Sequence, residues 1–108
     1  MEPKKLNKII HERVRLAIMS ILAGRGKLTF KEMKGLLNVT DGNLSVHTAV
    51  LEKNKLIAIQ KDFDGKKPRT TFTITEKGRE VFRDYVNELE KIGRITSCRI
   101  GFLVQGVC

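Results

Sequence analysis

The chain has 108 residues and a formal charge of +9, from 21 Lys and Arg against 12 Asp and Glu. That length holds one domain with a modest core and excludes a nucleic-acid-binding domain joined to a separate ligand-binding one. A sequence pI of about 9.9 favours a polyanionic partner, nucleic acid ahead of an anionic membrane.

The first predicted element is a helix over residues 6–23. Leu6, Ile9, Ile10, Val14, Ala17, Ile18, Ile21 and Leu22 recur at helical spacing with charges between them. Lys8, His11, Glu12, Arg13 and Arg15 break the apolar run, so neither a signal peptide nor a transmembrane span is read there. Gly24-Arg25-Gly26 stops the helix, and Leu28 enters a short extended link.

Thr29-Phe30-Lys31-Glu32 reads as a capping box that opens a short helix to about Leu37, with Phe30, Met33, Leu36 and Leu37 as its apolar side. Asn38 suits a left-handed turn. Thr40 or Asp41 then caps a third helix to about Lys53 or Asn54, whose inward stripe is Leu44, Thr48 and Leu51. Two short helices joined by a tight turn are a helix-turn-helix.

Residues 57–63 and 69–75 each alternate apolar and polar side chains around Asp64-Gly65-Lys66-Lys67-Pro68. This is a hairpin with a basic tip, a wing. Thr75 caps a fourth helix to about Ile92, with Val81, Phe82, Tyr85, Val86, Leu89 and Ile92 as its stripe and Gly93 as its end. The expected fold class is therefore mainly α with a small β hairpin: a winged helix-turn-helix ordered helix, helix, helix, wing, helix. The domain is placed at residues 1–93. Residues 94–108 form a tail whose packing the sequence leaves open.

The order has a physical use on double-stranded DNA. The third helix enters the major groove, the second braces it, and the wing reaches a neighbouring groove or phosphate. At roughly 100° per residue, the third helix turns Gly42, Asn43, Val46, Ala49, Val50 and Lys53 away from the core, with Ser45 and His47 at the flanks. Asn43 can bond adenine through two atoms, and the small apolar side chains suit thymine methyl groups. An A·T-rich half-site is the expectation. Thr40 and Asp41, at the start of that helix, complete the candidate DNA-binding set with Lys66, Lys67 and Arg69 of the wing.

Simpler readings stand beside these. His47 can contact DNA or pack at the helix edge. The wing cations can bind phosphate or merely protect a sheet edge. No third ligand or nucleophile accompanies His11 and His47, so neither a metal site, a cofactor nor an enzyme is expected. Cys98 and Cys108 show no metal-type spacing, and a cytoplasmic protein without a structural disulfide is the reading.

The runs VRLAIMSIL, LTFKEMKGLL, DGNLSVHTAVLEKNKLI and KDFDGKKPRTTFTITEKGRE resemble the small winged-helix regulators of bacteria and archaea related to the MarR and ArsR groups. The likeness covers roughly residues 9–92. It implies a dimeric, sequence-specific DNA-binding transcription regulator without catalytic activity. The family's recognition positions fall on Asp41, Gly42, Asn43, Ser45, Val46 and His47, and its wing contacts on Lys66, Lys67 and Arg69. Three departures are visible. The third helix has no cysteine, against metal sensing of the ArsR type. Thr48 stands where leucine is common, and Val46 where a basic residue is frequent.

A homodimer is expected through Leu6, Ile9, Ile10, Phe82, Tyr85, Leu89 and Ile92, because a fourth helix of this length overhangs a compact three-helix unit. Burying the excess gains ~25 cal/mol per Å². Two recognition helices about 34 Å apart would then meet a near-palindromic operator. A small-molecule effector is possible at such an interface, though no residue demands one. The alternative function is a winged-helix module binding RNA or a protein partner of the transcription or translation machinery.

Overall fold

A computed structural model describes the backbone of residues 7–93. Leu6, the side chain of Ile92 and the tail 94–108 lie outside the described residues. The elements are α1 (Arg13–Arg25), β1 (Lys27–Thr29), α2 (Phe30–Leu37), α3 (Asp41–Lys53), β2 (Ile57–Asp64), β3 (Lys67–Ile74) and α4 (Glu76–Gly93).

The first helix begins later than periodicity suggests. The Asn7 side-chain oxygen accepts the amides of Ile9 and Ile10 at 2.8 and 3.2 Å, which closes a separate turn. Glu12 is extended, at φ −148° and ψ 138°, and its carboxylate accepts the Arg15 amide at 2.9 Å. It thereby satisfies one of the free amides at the start of α1. The helix runs through Gly24 and Arg25 and ends at Gly26, where φ is +86°.

Thr29 makes the capping box with Glu32 in both directions, 3.1 Å from the Glu32 amide to Thr29 Oγ1 and 3.0 Å from the Thr29 amide to Glu32 Oε1. Asn38 ends α2 in the left-handed conformation, φ 54° and ψ 50°. Thr40 caps α3 through the Asn43 amide at 3.1 Å. The helix-turn-helix is thus fixed by four polar residues: Thr29, Glu32 and Thr40 satisfy otherwise unpaired amides, and Asn38 takes the left-handed turn.

The sheet has three antiparallel strands in the order β1-β3-β2. The stretch read as an extended link is its third strand: Leu28 lies opposite Phe72, as Ile59 does from the other side. Asp64 pairs with Lys67, so Gly65 and Lys66 form the corner of the wing, with Gly65 at φ +69°. A glycine at the first corner position is what a two-residue hairpin of this hand requires. Phe63 pairs with Pro68 one step further in. Pairs alternate between bonded and non-bonded along such a ladder, so the missing proline amide falls at a non-bonded position and no ladder bond is lost.

The core lies between the helices and one face of the sheet. Ile18, Met19 and Leu22 of α1 meet Met33, Leu44, Leu51, Leu56, Ile57, Phe72, Ile74, Phe82 and Tyr85. Leu44, Thr48 and Leu51 are the buried residues of α3, and the Thr48 hydroxyl donates to the Leu44 carbonyl at 2.8 Å, so its polar atom is satisfied. Leu36, expected inside, is 50% exposed, because α2 turns only Met33 fully inward.

The α3–β2 and β3–α4 junctions interlock. Lys55 adopts φ +63°, and the Thr75 hydroxyl donates to the Lys55 and Leu56 carbonyls at 2.7 and 3.0 Å. The same oxygen accepts the Gly78 amide at 2.9 Å, which caps α4. Gly78 lies so close that a Cβ would stand 2.1 Å from the Leu56 carbonyl oxygen. Arg79 then donates to the Ala23 carbonyl at 3.1 Å and ties α4 to the end of α1.

Candidate nucleic-acid interface

The capping of Thr40 and the burial of Leu44, Thr48 and Leu51 decide which side of α3 meets solvent. Thr40, Asp41, Gly42, Asn43, Ser45, Val46, Ala49 and Lys53 are exposed, and Val50 is half-buried. Val46 is 61% exposed, so a large apolar side chain projects from this face without a protein neighbour to cover it. Asp41 is paired with Lys34 of α2 at 2.6 Å, which neutralises the one acid at the start of the helix. Lys34 braces the turn and screens Asp41 from any approaching phosphate.

His47 sits differently from its neighbours. Its side chain is only 18% exposed. Nδ1 lies 3.0 Å from the Arg15 guanidinium and 3.4 Å from the Glu12 carboxylate. Arginine can only donate, so in that contact Nδ1 accepts and the imidazole proton sits on Nε2. The packing reading of His47 thus has named partners, and Nε2–H is the donor left over. Arg15 also donates to the Ile9 carbonyl, so one guanidinium joins the N-terminal turn to α3. Burial raises the Glu12 carboxyl, but the Arg15 amide, the neighbouring His47 imidazole and Arg15 guanidinium, and the Val14 amide outweigh it. The net position is below the usual carboxylate range.

The wing projects with every residue from Gln60 to Arg69 exposed. Lys66 stands at the corner and Lys67 beside it. Arg69 faces Asp62 across the ladder and donates to both of its carboxylate oxygens at 3.0 Å. This fork holds the Asp62 carboxyl below its ordinary value and the guanidinium above its own. Arg69 therefore reaches a phosphate only in competition with Asp62.

Surface clefts flank the wing. One, of about 550 Å³, lies between α3 and the inner face of the hairpin, lined by Ser45, Ala49, Glu52, Ile59, Lys61 and Thr70 among others. Another, of about 440 Å³, lies between the start of α2 and the wing, with Lys31, Lys67 and Arg69 in its wall. The flank of α3 and the inner face of the wing thus share one opening. Lys31, Lys61 and the pairing roles of Lys34 and Asp62 were not in the sequence-derived set. Counting the ladder back from Gly65 would have put Asp62 opposite Arg69.

The apolar residues expected at a dimer contact divide. Ile10, Phe82 and Tyr85 are buried inside the protomer, at no more than 3% exposure. α4 packs against α1, so these three side chains lie in the protomer's own core. The Tyr85 hydroxyl, 2.8 Å from His11 Nδ1, is pushed up in pKa by that burial. Ile9 and Leu89 are half-buried at the margin of the core. Among the described residues, no group of three His, Cys, Asp or Glu side chains is placed to hold a metal ion. Among the same residues, no helix is long and apolar enough to cross a membrane.

A capped helix pair with a tight turn, an exposed face on its second helix and a basic hairpin directly after define a winged helix-turn-helix. The chain belongs to the family of winged helix DNA-binding domains, whose pattern residues 14–92 match. An uncharacterised protein of Methanocaldococcus jannaschii is 33% identical over 91 residues, 84% of this chain and 99% of that one. The solved structure of a transcriptional regulator homologue from Pyrococcus horikoshii is similar at 36% identity, with a TM-score of 0.74 over 78% of this chain and 83% of that chain. A Salmonella typhimurium protein described as a putative transcriptional regulator shares the fold at 17% identity, with a TM-score of 0.67 over 79% and 75% of the two chains.

Proposed function

We propose that the protein is a sequence-specific regulator of transcription that binds duplex DNA as a homodimer, in the manner of the MarR and ArsR groups, and is not an enzyme. The third helix lies in the major groove, where Asn43, Ser45 and Val46 meet base edges. Thr40, Asp41, Gly42, His47 and Lys53 border that contact. Lys66, Lys67 and Arg69 hold backbone or minor groove. Affinity then comes from the basic flanks and specificity from a nearly neutral helix face.

The observation that carries this reading is the exposed face of α3. Gly42, Asn43, Ser45, Val46 and Ala49 are all open to solvent, in a family of DNA-binding domains and beside a cationic hairpin. An apolar valine at 61% exposure has no folding role there. It does have one against a thymine methyl group.

The homodimer uses the apolar margin of the N-terminal turn and α4, a reading supported by Ile9 and Leu89, which stay half-buried at the edge of the core. The two-fold partner would present a second α3 about 34 Å away to a near-palindromic site.

Titration of duplex binding against salt tests the DNA reading. Each neutralised phosphate adds roughly −0.9 to the log–log slope. Replacing Lys66, Lys67 and Arg69 by Ala should reduce the slope by about 2 to 3 and weaken binding to every duplex alike. Binding of single-stranded RNA in preference to duplex DNA, or a slope untouched by the triple variant, would contradict it.

A further inference from the structure

The wing carries one side chain that neither folding nor electrostatics explains. Phe63 is 69% exposed, the most open of the large apolar residues described. Its cross-strand partner is Pro68, also exposed. At a non-bonded pair of this kind the two Cβ atoms are ~4.5–5.5 Å apart, so the ring has a stiff apolar neighbour on one side and solvent on the other. A hairpin tip that needed only solubility would carry a polar residue at this position.

The pleat sorts the surroundings of Phe63. Side chains alternate between faces along a strand. Lys61 and Phe63 of β2, with Pro68 and Thr70 of β3, share the face that continues Ile59 and Phe72 outward from the core. Asp62, bound to Arg69, points to the other face, and Asp64 follows it by the same alternation. The strand face around Phe63 is therefore apolar and cationic, with Lys61 behind it and Lys66 at the corner; two acids border it, Glu52 of α3 in the wall of the cleft that Lys61 and Thr70 line and Asp64 in the wall of the cleft that Pro68 and Thr70 line. That surface leads out of the cleft whose far wall is the flank of α3.

We propose that Phe63, supported by Pro68, is an apolar wedge that the wing places in the minor groove of duplex DNA beside the site held by α3. The proposal rests on the reading that the protein binds duplex DNA. The cations around the ring match a polyanion, whereas a second copy of this +9 chain would bring like charge to the same surface. The minor groove is narrow, walled by deoxyribose and lined on its floor by few polar groups. Aromatic and aliphatic side chains enter it as wedges between base steps. The 2-amino group of guanine obstructs that floor. A wing using Phe63 in this way adds selectivity for pairs without that group, independently of the major-groove contacts of α3.

Two duplexes isolate the effect. Alternating inosine–cytosine and guanine–cytosine polymers present the same major-groove pattern and differ in the minor groove by the 2-amino group alone. The wild-type protein should bind the inosine duplex about tenfold more tightly, a factor that corresponds to ~1.4 kcal/mol. Phe63→Ala should lose that preference while keeping the same salt slope and the same melting temperature. Phe63→Lys should also lose the preference, yet steepen the slope by about one phosphate contact. Equal binding of the two duplexes by the wild type, persistence of the preference in Phe63→Ala, or a change of oligomeric state on that substitution would each overturn the wedge. Failure of the wild type to bind either duplex in a salt-dependent way would overturn the DNA reading itself, and the wedge with it.

Discussion

At the scale of single residues, Gly78 shows how a backbone contact can fix an identity. A Cβ there would meet the Leu56 carbonyl oxygen at 2.1 Å, and backbone cannot yield as a flexible side chain can. Gly78→Ala should cost about 3 kcal/mol, read as a loss of more than about 10 °C in Tm. A melting temperature within a few degrees of wild type would contradict the close approach. Arg69 shows the opposite case, a cation proposed for DNA contact and held by its neighbour Asp62. Asp62→Asn removes both the fork and one negative charge from the wing. Duplex binding should tighten several-fold at low salt, with a slope steeper by about 0.9. Unchanged binding would mean that Arg69 does not reach the phosphates.

At the scale of elements, the caps carried most of what could be read in advance. The caps of Thr29, Thr40 and Thr75 each reach an amide three residues on, and the left-handed Asn38 closes onto Lys34, so these partners are visible in the sequence itself; the bonds from Thr75 to Lys55 and Leu56 are not. The two strands of the wing follow from alternation and a Gly corner. β1 escaped notice because three residues carry no period, and its pairing partner, Thr71–Thr73, is more than forty residues away. Periodicity places the start of α1 too early for a related reason. Apolar spacing is continuous across Ile10 and Val14, but the Asn7 turn and the Glu12 cap divide it. The cap also has a pH signature. In the folded chain the Glu12 carboxyl lies below its ordinary value of 4.5. Its contribution is therefore complete at neutral pH, and begins to be lost as pH falls below that value and on through the folded one. Glu12→Gln should flatten the acid limb of a stability–pH curve measured by urea unfolding. An equally steep limb would remove Glu12 from the account.

At the scale of the molecule, the division of charge was legible and the division of apolar surface was not. The sequence places cations at the wing and second helix, and the structure exposes them. A stripe of Phe82, Tyr85 and Val86 at helical spacing, however, is the same whether it faces α1 of its own chain or a second copy. Only the tertiary packing assigned it to the core. His47 was open for a similar reason, since its partner Arg15 is thirty-two positions away. The proposed dimer now has a smaller apolar contact to rest on. Sedimentation at micromolar concentration should give twice the chain mass, and a stable monomer would require half-site binding instead.

On the proposed reading, the outward face of α3 reads sequence while the wing supplies affinity. The measurement closest to it compares Asn43→Ala with wild type on two duplexes, one selected from a random library for tight binding and one scrambled from it. Asn43 is exposed and its side chain caps nothing in the fold, so the variant should melt as wild type does. The variant should lose about 10- to 100-fold on the selected duplex, change little on the scrambled one and keep the same salt slope. An equal loss on both duplexes, or none on either, would contradict it.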